Sequence, residues 1–127
     1  MTAVAATRHH RGRMAHYAGV AAEHRIAQDY ERRGFTVARR RWRGAGGEID
    51  LIVQDGNALI FVEIKQRRGL DRAAESLSAG QMRRLCRAAE EYIGSQPLGS
   101  LTEVRFDVAL LDTRGDMRIL ENAFGQV

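Results

Sequence analysis

The segment "EIDLIVQDGNALIFVEIK", residues 48 to 65, constrains the fold more than any other part of the chain. It reads as two alternating strands, about Glu48–Gln54 and Ala58–Lys65, around Asp-Gly-Asn, a strong hairpin turn. Side chains alternate faces along a strand. Ile49, Leu51 and Val53 point one way, and Glu48 and Asp50 the other. On the second strand Ile60, Val62 and Ile64 share a face, with Phe61, Glu63 and Lys65 opposite. A Gly56-Asn57 loop would set Asp50 against Glu63 and Glu48 against Lys65. An Asp55-Gly56 loop would set Glu48 against Glu63. Either register puts four charged residues on one face.

Like charges directly opposite each other weaken a sheet. The pattern has two explanations. One is an exposed face, where solvent screens the repulsion and Lys65 balances it. The other is a divalent cation held between carboxylates. Mg²⁺ takes hard oxygen ligands and often only one or two carboxylates. Lys65 would then orient or deprotonate a bound water. Of 20 basic residues, 19 are arginine and only Lys65 is lysine. A lone lysine in so arginine-rich a chain points to a need for a compact ammonium.

The surroundings of the hairpin read as follows. A helical pattern runs from about Ala15 to Arg33, with Val20, Ala27 and Tyr30 on one stripe and Gly34 as its C′ residue. Glu23 lies in that stripe, so it is at the margin, paired, or aimed into a site. "FTVARRRWR" predicts a strand from Phe35 to about Trp42. "RGAGGE" leads into a strand and not a helix, so it is a loop or bulge and no phosphate-cradling loop. After the polar stretch "QRRGLDRAAES" a second helix runs from about Ala79 to Gly94, burying Met82, Leu85, Ala89 and Tyr92. A long strand, about Thr102–Leu111, a turn at Arg114-Gly115 and a short strand at Met117–Leu120 end the chain.

At 127 residues the expectation is one domain over 14–127, behind a flexible basic tail at 1–13. No apolar run approaches a membrane span and no secretory leader is read. The single cysteine, Cys86, excludes an internal disulfide, fits the cytoplasm, and reads as a small buried apolar residue. The net charge is +4, with arginines in clusters at 39–43, 67–68 and 83–87. Such clusters form either a footprint for nucleic acid or a solvated basic surface.

The spacing Asp50…Glu63-Ile64-Lys65 resembles the D…(D/E)-x-K signature of the PD-(D/E)XK nuclease superfamily. The predicted order of elements is similar to its restriction-endonuclease-like αβββαβ core, an α/β fold with a mixed central sheet flanked by helices. "AAEHRIA", "RRGFTVARRRWR", "GGEIDLIV", "LIFVEIKQR", "RRLCRAAEEYI" and "VRFDVALL", spanning roughly Gly19 to Leu111, together resemble the YraN-like family of bacterial proteins read as endonucleases. That family is similar to archaeal Holliday junction resolvases.

The resemblance implies a metal-dependent endonuclease acting on DNA, structure-selective in repair or recombination, with Mg²⁺ or Mn²⁺ as cofactor. It implies Asp50, Glu63 and the backbone carbonyl of Ile64 as metal ligands, and Lys65 as the residue that positions the attacking water. Glu23 matches an acidic residue that the first helix brings to the site, and Glu48 a supporting group. Arg39, Arg40, Arg41, Arg43, Arg67 and Arg84 would contact phosphates. Gln81 stands where relatives carry lysine, so its phosphate contact loses a charge. Arg105 and Asp107 read as a structural ion pair or site support. Resolvase-like relatives imply a homodimer, and no membrane partner is expected. Two other readings compete: a catalytically weak nucleic-acid-binding module of the same fold, and an arginine-rich interaction protein.

Overall fold

The computed structural model describes residues 19–124. The tail expected at 1–13 lies outside them. Helix α1 covers residues 19–32 of the described chain. It is followed by β1 (Thr36–Arg43), β2 (Glu48–Asp55), β3 (Ala58–Arg67), α2 (Leu70–Glu75), α3 (Ala79–Ile93), a 3₁₀ turn (Gly99–Leu101), β4 (Val104–Asp112) and β5 (Met117–Leu120). The five strands form one sheet in the order β1-β2-β3-β4-β5. Only β3 and β4 run parallel, as strands joined by a helical crossover can. This is the αβββαβ order of a restriction-endonuclease-like core, with α2 and β5 added.

The helices sandwich the sheet. Ile26, Ala27 and Tyr30 of α1 pack on Leu51, Val53, Ile60, Val62 and Ala109. On the other face Leu85, Ala88, Ala89 and Tyr92 of α3 pack on Ile52, Leu59 and Phe61. There too Ala73 of α2 covers Val108 and Leu110. No helix among the described residues is long and apolar enough to cross a membrane.

Local chemistry fixes several boundaries. Gly34, at φ +96°, ends α1 in a Schellman motif. Its own N–H donates to the Glu31 carbonyl at 3.0 Å, and the Phe35 N–H to the Tyr30 carbonyl at 3.1 Å. Ser78 caps α3 by accepting from the Gln81 N–H at 3.1 Å, and the Gln81 side chain accepts from the Ser78 N–H at 3.2 Å. The hairpin loop is Gly56-Asn57, since Asp55 pairs with Ala58 and Leu51 with Val62. Gly56 at φ +60° supplies the left-handed residue at the head of the turn.

Some expectations need correction. Val20 is exposed, while Ala22 and Ile26 fill its place on the buried stripe of α1. Met82 is half-buried and Ala88 takes part in the α3 seam. Cys86 is half-buried instead of fully buried. The stretch after β3 holds the short helix α2, not only loop. Ile49 does not share a face with Leu51: it packs with Ile52 and the α3 residues. The reason lies at the site.

Candidate functional site

The β2–β3 ladder stops at Leu51–Val62. In this register the next hydrogen-bonded pair would be Ile49 with Ile64. Instead the Ile64 N–H donates to Asp50 Oδ2 at 2.8 Å. Asp50 thus fills the gap where the two strands part. On the other side of β2, Arg40 pairs with Leu51 and Trp42 with Ile49, but Arg41 and Asp50 between them form no pair. Arg41 has φ +50°, a left-handed conformation uncommon for a residue with a side chain. That single residue reverses the alternation. Trp42 and Ile49 turn to the α3 face, where Trp42 meets Tyr92 edge-on with ring centroids 5.3 Å apart. Trp42 is a packing residue.

The four hairpin charges therefore do not share one flat face. Glu63 and Lys65 point to the helix α3 side, on the same face as Phe61. Asp50 and Glu48 sit at the divide and line two cavities. The larger, about 580 Å³, opens on the α1 side and is also lined by Glu23, Arg41, Ile64 and Arg67. The smaller, about 260 Å³, opens on the α3 side and adds Glu63, Gln81 and Arg84. Asp50 and Glu48 thus border both cavities, Glu23 lies with Arg41 and Arg67 on the larger, and Glu63 lies with Gln81 and Arg84 on the smaller. Arg39, Arg40 and Arg43 line neither cavity. Arg40 pairs with Glu31 at 3.7 Å and Arg43 with Glu48 at 3.4 Å. Part of the Gln81 side chain is spent on the α3 cap.

Electrostatics at the divide is unfavourable by construction. Burial raises the Asp50 carboxyl above its ordinary range, and the Ile64 N–H only partly opposes this. Burial also pushes Glu63 up to about 7, and repulsion from Asp50 adds to it. Lys65 works the other way: its Nζ lies 3.5 Å from Glu63 Oε1, and it is 7% exposed. An ion pair this sheltered from solvent is screened far less than a surface pair. The solvated-face explanation fits the exposed Glu48 but not the sheltered pair of Lys65 and Glu63.

Among the described residues no three His, Cys, Asp or Glu side chains form a ready metal cage. The donor set still fits a Mg²⁺-type ion. Asp50 and Glu63 offer two hard carboxylates, and such ions take the rest of their shell from water and substrate phosphate. Two repelling carboxylates with raised pKa values gain most from a cation placed between them.

The loop at 44–47 fixes the entry to β2. Ala45 and Gly46 donate their N–H groups to the Glu91 carboxylate of α3, at 3.0 and 3.2 Å. A Cβ on Gly44 would stand 2.5 Å from Glu91 Oε2 and from the Trp42 ring. Glu91 thereby helps to set where Glu48 and Asp50 begin. Sequence reasoning missed it, because the contact spans 46 positions. Arg105 and Asp107 lie elsewhere, as a structural pair. Asp107 is fully buried and accepts from Arg105 at 2.9 and 3.0 Å, from the Tyr30 hydroxyl at 2.7 Å and from the Asn122 N–H at 2.9 Å.

Comparison with known proteins places this arrangement in a group. A UPF0102 protein of Ruegeria pomeroyi is 56% identical over 115 residues, covering 91% of this chain and 94% of that protein. One from Cereibacter sphaeroides is 50% identical over 113 residues, 89% of this chain and 97% of that protein. One from Dinoroseobacter shibae is 42% identical over 122 residues, 96% and 91% of the two chains. Residues 22–111, which hold every element from most of α1 to nearly the end of β4, match the uncharacterised protein family UPF0102, and the chain belongs to that family.

Proposed function

We propose that this protein is a Mg²⁺- or Mn²⁺-dependent endonuclease of the PD-(D/E)XK type that hydrolyses DNA phosphodiester bonds, with a preference for branched DNA. The observation that carries this reading is the placement of Asp50. It sits where two strands part, beside a second half-buried carboxylate, Glu63, that the chain's one lysine holds at 3.5 Å. A structural role would not need two repelling carboxylates at an opening bounded by arginines.

Asp50 and Glu63 would hold the cation, with the Ile64 carbonyl as a third ligand. When bound, such an ion polarises a phosphate and lowers the pKa of water. Lys65, fixed on Glu63, would donate a hydrogen bond to the attacking water and offset the charge that builds on the phosphate oxygens. Arg84 and Gln81 on one side and Arg67 on the other would hold flanking phosphates, contacts that position a strand without reading its sequence.

The test is cleavage of labelled linear, flapped and four-way DNA in Mg²⁺ or Mn²⁺, with EDTA, Glu63→Gln and Lys65→Ala as controls. The expected result is cleavage that EDTA abolishes and that each variant lowers at least a hundredfold, the scale of losing one electrostatic or acid–base group. Binding without cleavage by any folded sample would favour the non-catalytic binding module. Neither binding nor cleavage would leave the arginine-rich interaction protein.

A further inference from the structure

The resemblance assigns Glu23 to the catalytic centre, but the structure gives its carboxylate a different partner. Arg41 Nε donates to Glu23 Oε2 at 2.5 Å. A hydrogen bond between two ionised groups is stronger than one between neutral groups. The pair is lopsided: the Glu23 side chain is 12% exposed and that of Arg41 39%. Both line the cavity, but the sheltered member is the anion and the more exposed one is the cation. Arginine has five N–H donors, and among the described residues only Nε is engaged. The outward face of this pair is therefore a guanidinium edge aimed into a cavity of about 580 Å³ that Asp50 and Arg67 also line. A space of that size suits a nucleotide.

The backbone points the same way. Arg41 lies in the left-handed region at φ +50°, at the position that faces Asp50 across the β1–β2 ladder and fails to pair. Glycine would adopt that conformation without strain. Strain held on a large charged side chain beside a candidate reaction centre is the pattern expected where geometry serves binding. The distortion swings Arg41 off the strand and onto α1, while its neighbour Trp42 goes to the opposite face.

We propose that Glu23 and Arg41 form a phosphate-binding arm distinct from the metal site: Glu23 positions the guanidinium, and Arg41 takes a nucleic-acid backbone phosphate on the α1 side of the scissile one. This rests on the endonuclease reading of Asp50 and Glu63. It makes Glu23 a positioning residue and not a metal ligand. One Glu23 oxygen is committed to the guanidinium, and Glu23 and Glu63 line different cavities.

The experiment compares wild type with Glu23→Gln, Arg41→Gly, Arg41→Lys and the Glu23→Gln/Arg41→Gly double variant. Three quantities are measured: Mn²⁺ affinity by titration calorimetry, affinity for a labelled four-way junction and a short single strand over a salt series without divalent metal, and Tm. Mn²⁺ affinity is expected to stay within twofold of wild type in every variant. Arg41→Gly should weaken DNA binding about tenfold and lower the salt slope by about one, the signature of one lost phosphate contact. Arg41→Lys should restore the slope but only part of the affinity, since a lysine makes no fork. Glu23→Gln should weaken DNA binding, and the double variant should be no weaker than Arg41→Gly. Arg41→Gly relieves the strain but leaves Glu23 buried without its partner, so its Tm should fall, and the double variant, which removes both charges, should recover most of that loss.

A tenfold loss of Mn²⁺ affinity in Glu23→Gln would put Glu23 on the metal and overturn the proposal. So would an unchanged salt slope in Arg41→Gly, or DNA binding that stays at wild-type strength there. Wild type that binds neither DNA would sink the endonuclease reading itself, a result distinct from wild-type binding that Arg41→Gly leaves intact.

Discussion

Replacing Glu63 by glutamine should make the metal-free protein more stable at pH 8 while removing its activity. Glu63 is pushed from the ordinary 4.5 to about 7 in the folded chain. Below pH 4.5 the carboxyl is neutral in both states and contributes nothing. Between the two values the unfolded chain releases its proton and the folded chain keeps it, so stability falls as pH rises. Each pH unit in that window costs about 1.4 kcal/mol, and the gap of roughly 2.5 units gives on the order of 3 kcal/mol above pH 7. Glutamine removes this cost but leaves Lys65 without its 3.5 Å carboxylate partner. The expected net gain is therefore about 1–3 kcal/mol at pH 8, near zero at pH 4. For a chain of this length that is a rise in Tm of roughly 3–10 °C. The assay is thermal or urea unfolding in EDTA at pH 4, 6 and 8. Adding Mg²⁺ should then stabilise the wild type, by an amount that grows with concentration, and leave the variant almost unmoved. Equal stability of the two proteins at pH 8 would refute the argument that these carboxylates repel in a desolvated site. A gain of the same size at pH 4 would refute it equally, because there no charge is at stake.

Three further outcomes follow from the packing. Asp107→Ala should cost about 3–5 kcal/mol in urea unfolding, because Arg105, the Tyr30 hydroxyl and the Asn122 N–H all lose their buried acceptor; a loss under 1 kcal/mol would mean that water replaces it. Tyr30→Phe removes only one of those bonds and should cost about 1 kcal/mol, with DNA binding unchanged. Gly34→Ala should cost about 1 kcal/mol, since φ +96° is open to glycine and strained for alanine; an unchanged urea midpoint would show that α1 can end without the Schellman turn.

How much of this was legible depends on how far apart the interacting residues are. The hairpin's register needed only the choice between two loops, and Gly34 announced the end of α1 by its position after a periodic stripe. Helix α2 was legible too but went unread. Leu70, Ala73, Ala74 and Leu77 stand at i, i+3, i+4 and i+7, and Ala73 is fully buried, although the charged residues around them make the stretch read as polar. The Glu91 cradle and the Asp107 cluster had no local signal. Their partners lie 45 and 77 positions away, and nothing in a run of residues marks which carboxylate will reach which N–H.

The site itself was legible as chemistry and not as geometry. Strict alternation put Glu48, Asp50, Glu63 and Lys65 on one face, and that rule fails at Arg41 and Asp50. Alternation rests on both strands staying extended and paired. Once Arg41 goes left-handed and Asp50 takes the Ile64 N–H in place of a ladder bond, both conditions lapse together. Ordinary folding would select against each step: a strained arginine, a truncated ladder, two carboxylates raised by burial. All three occur within a few residues, and the other irregularity of the β1–β2 pairing, a register shift between Val37 and Arg39, lies toward the start of β1. A sequence whose local preferences agree nearly everywhere concentrates its exceptions where function demands them. The failure of the alternation rule at Arg41 and Asp50 thus supports the same conclusion as the carboxylates it displaced.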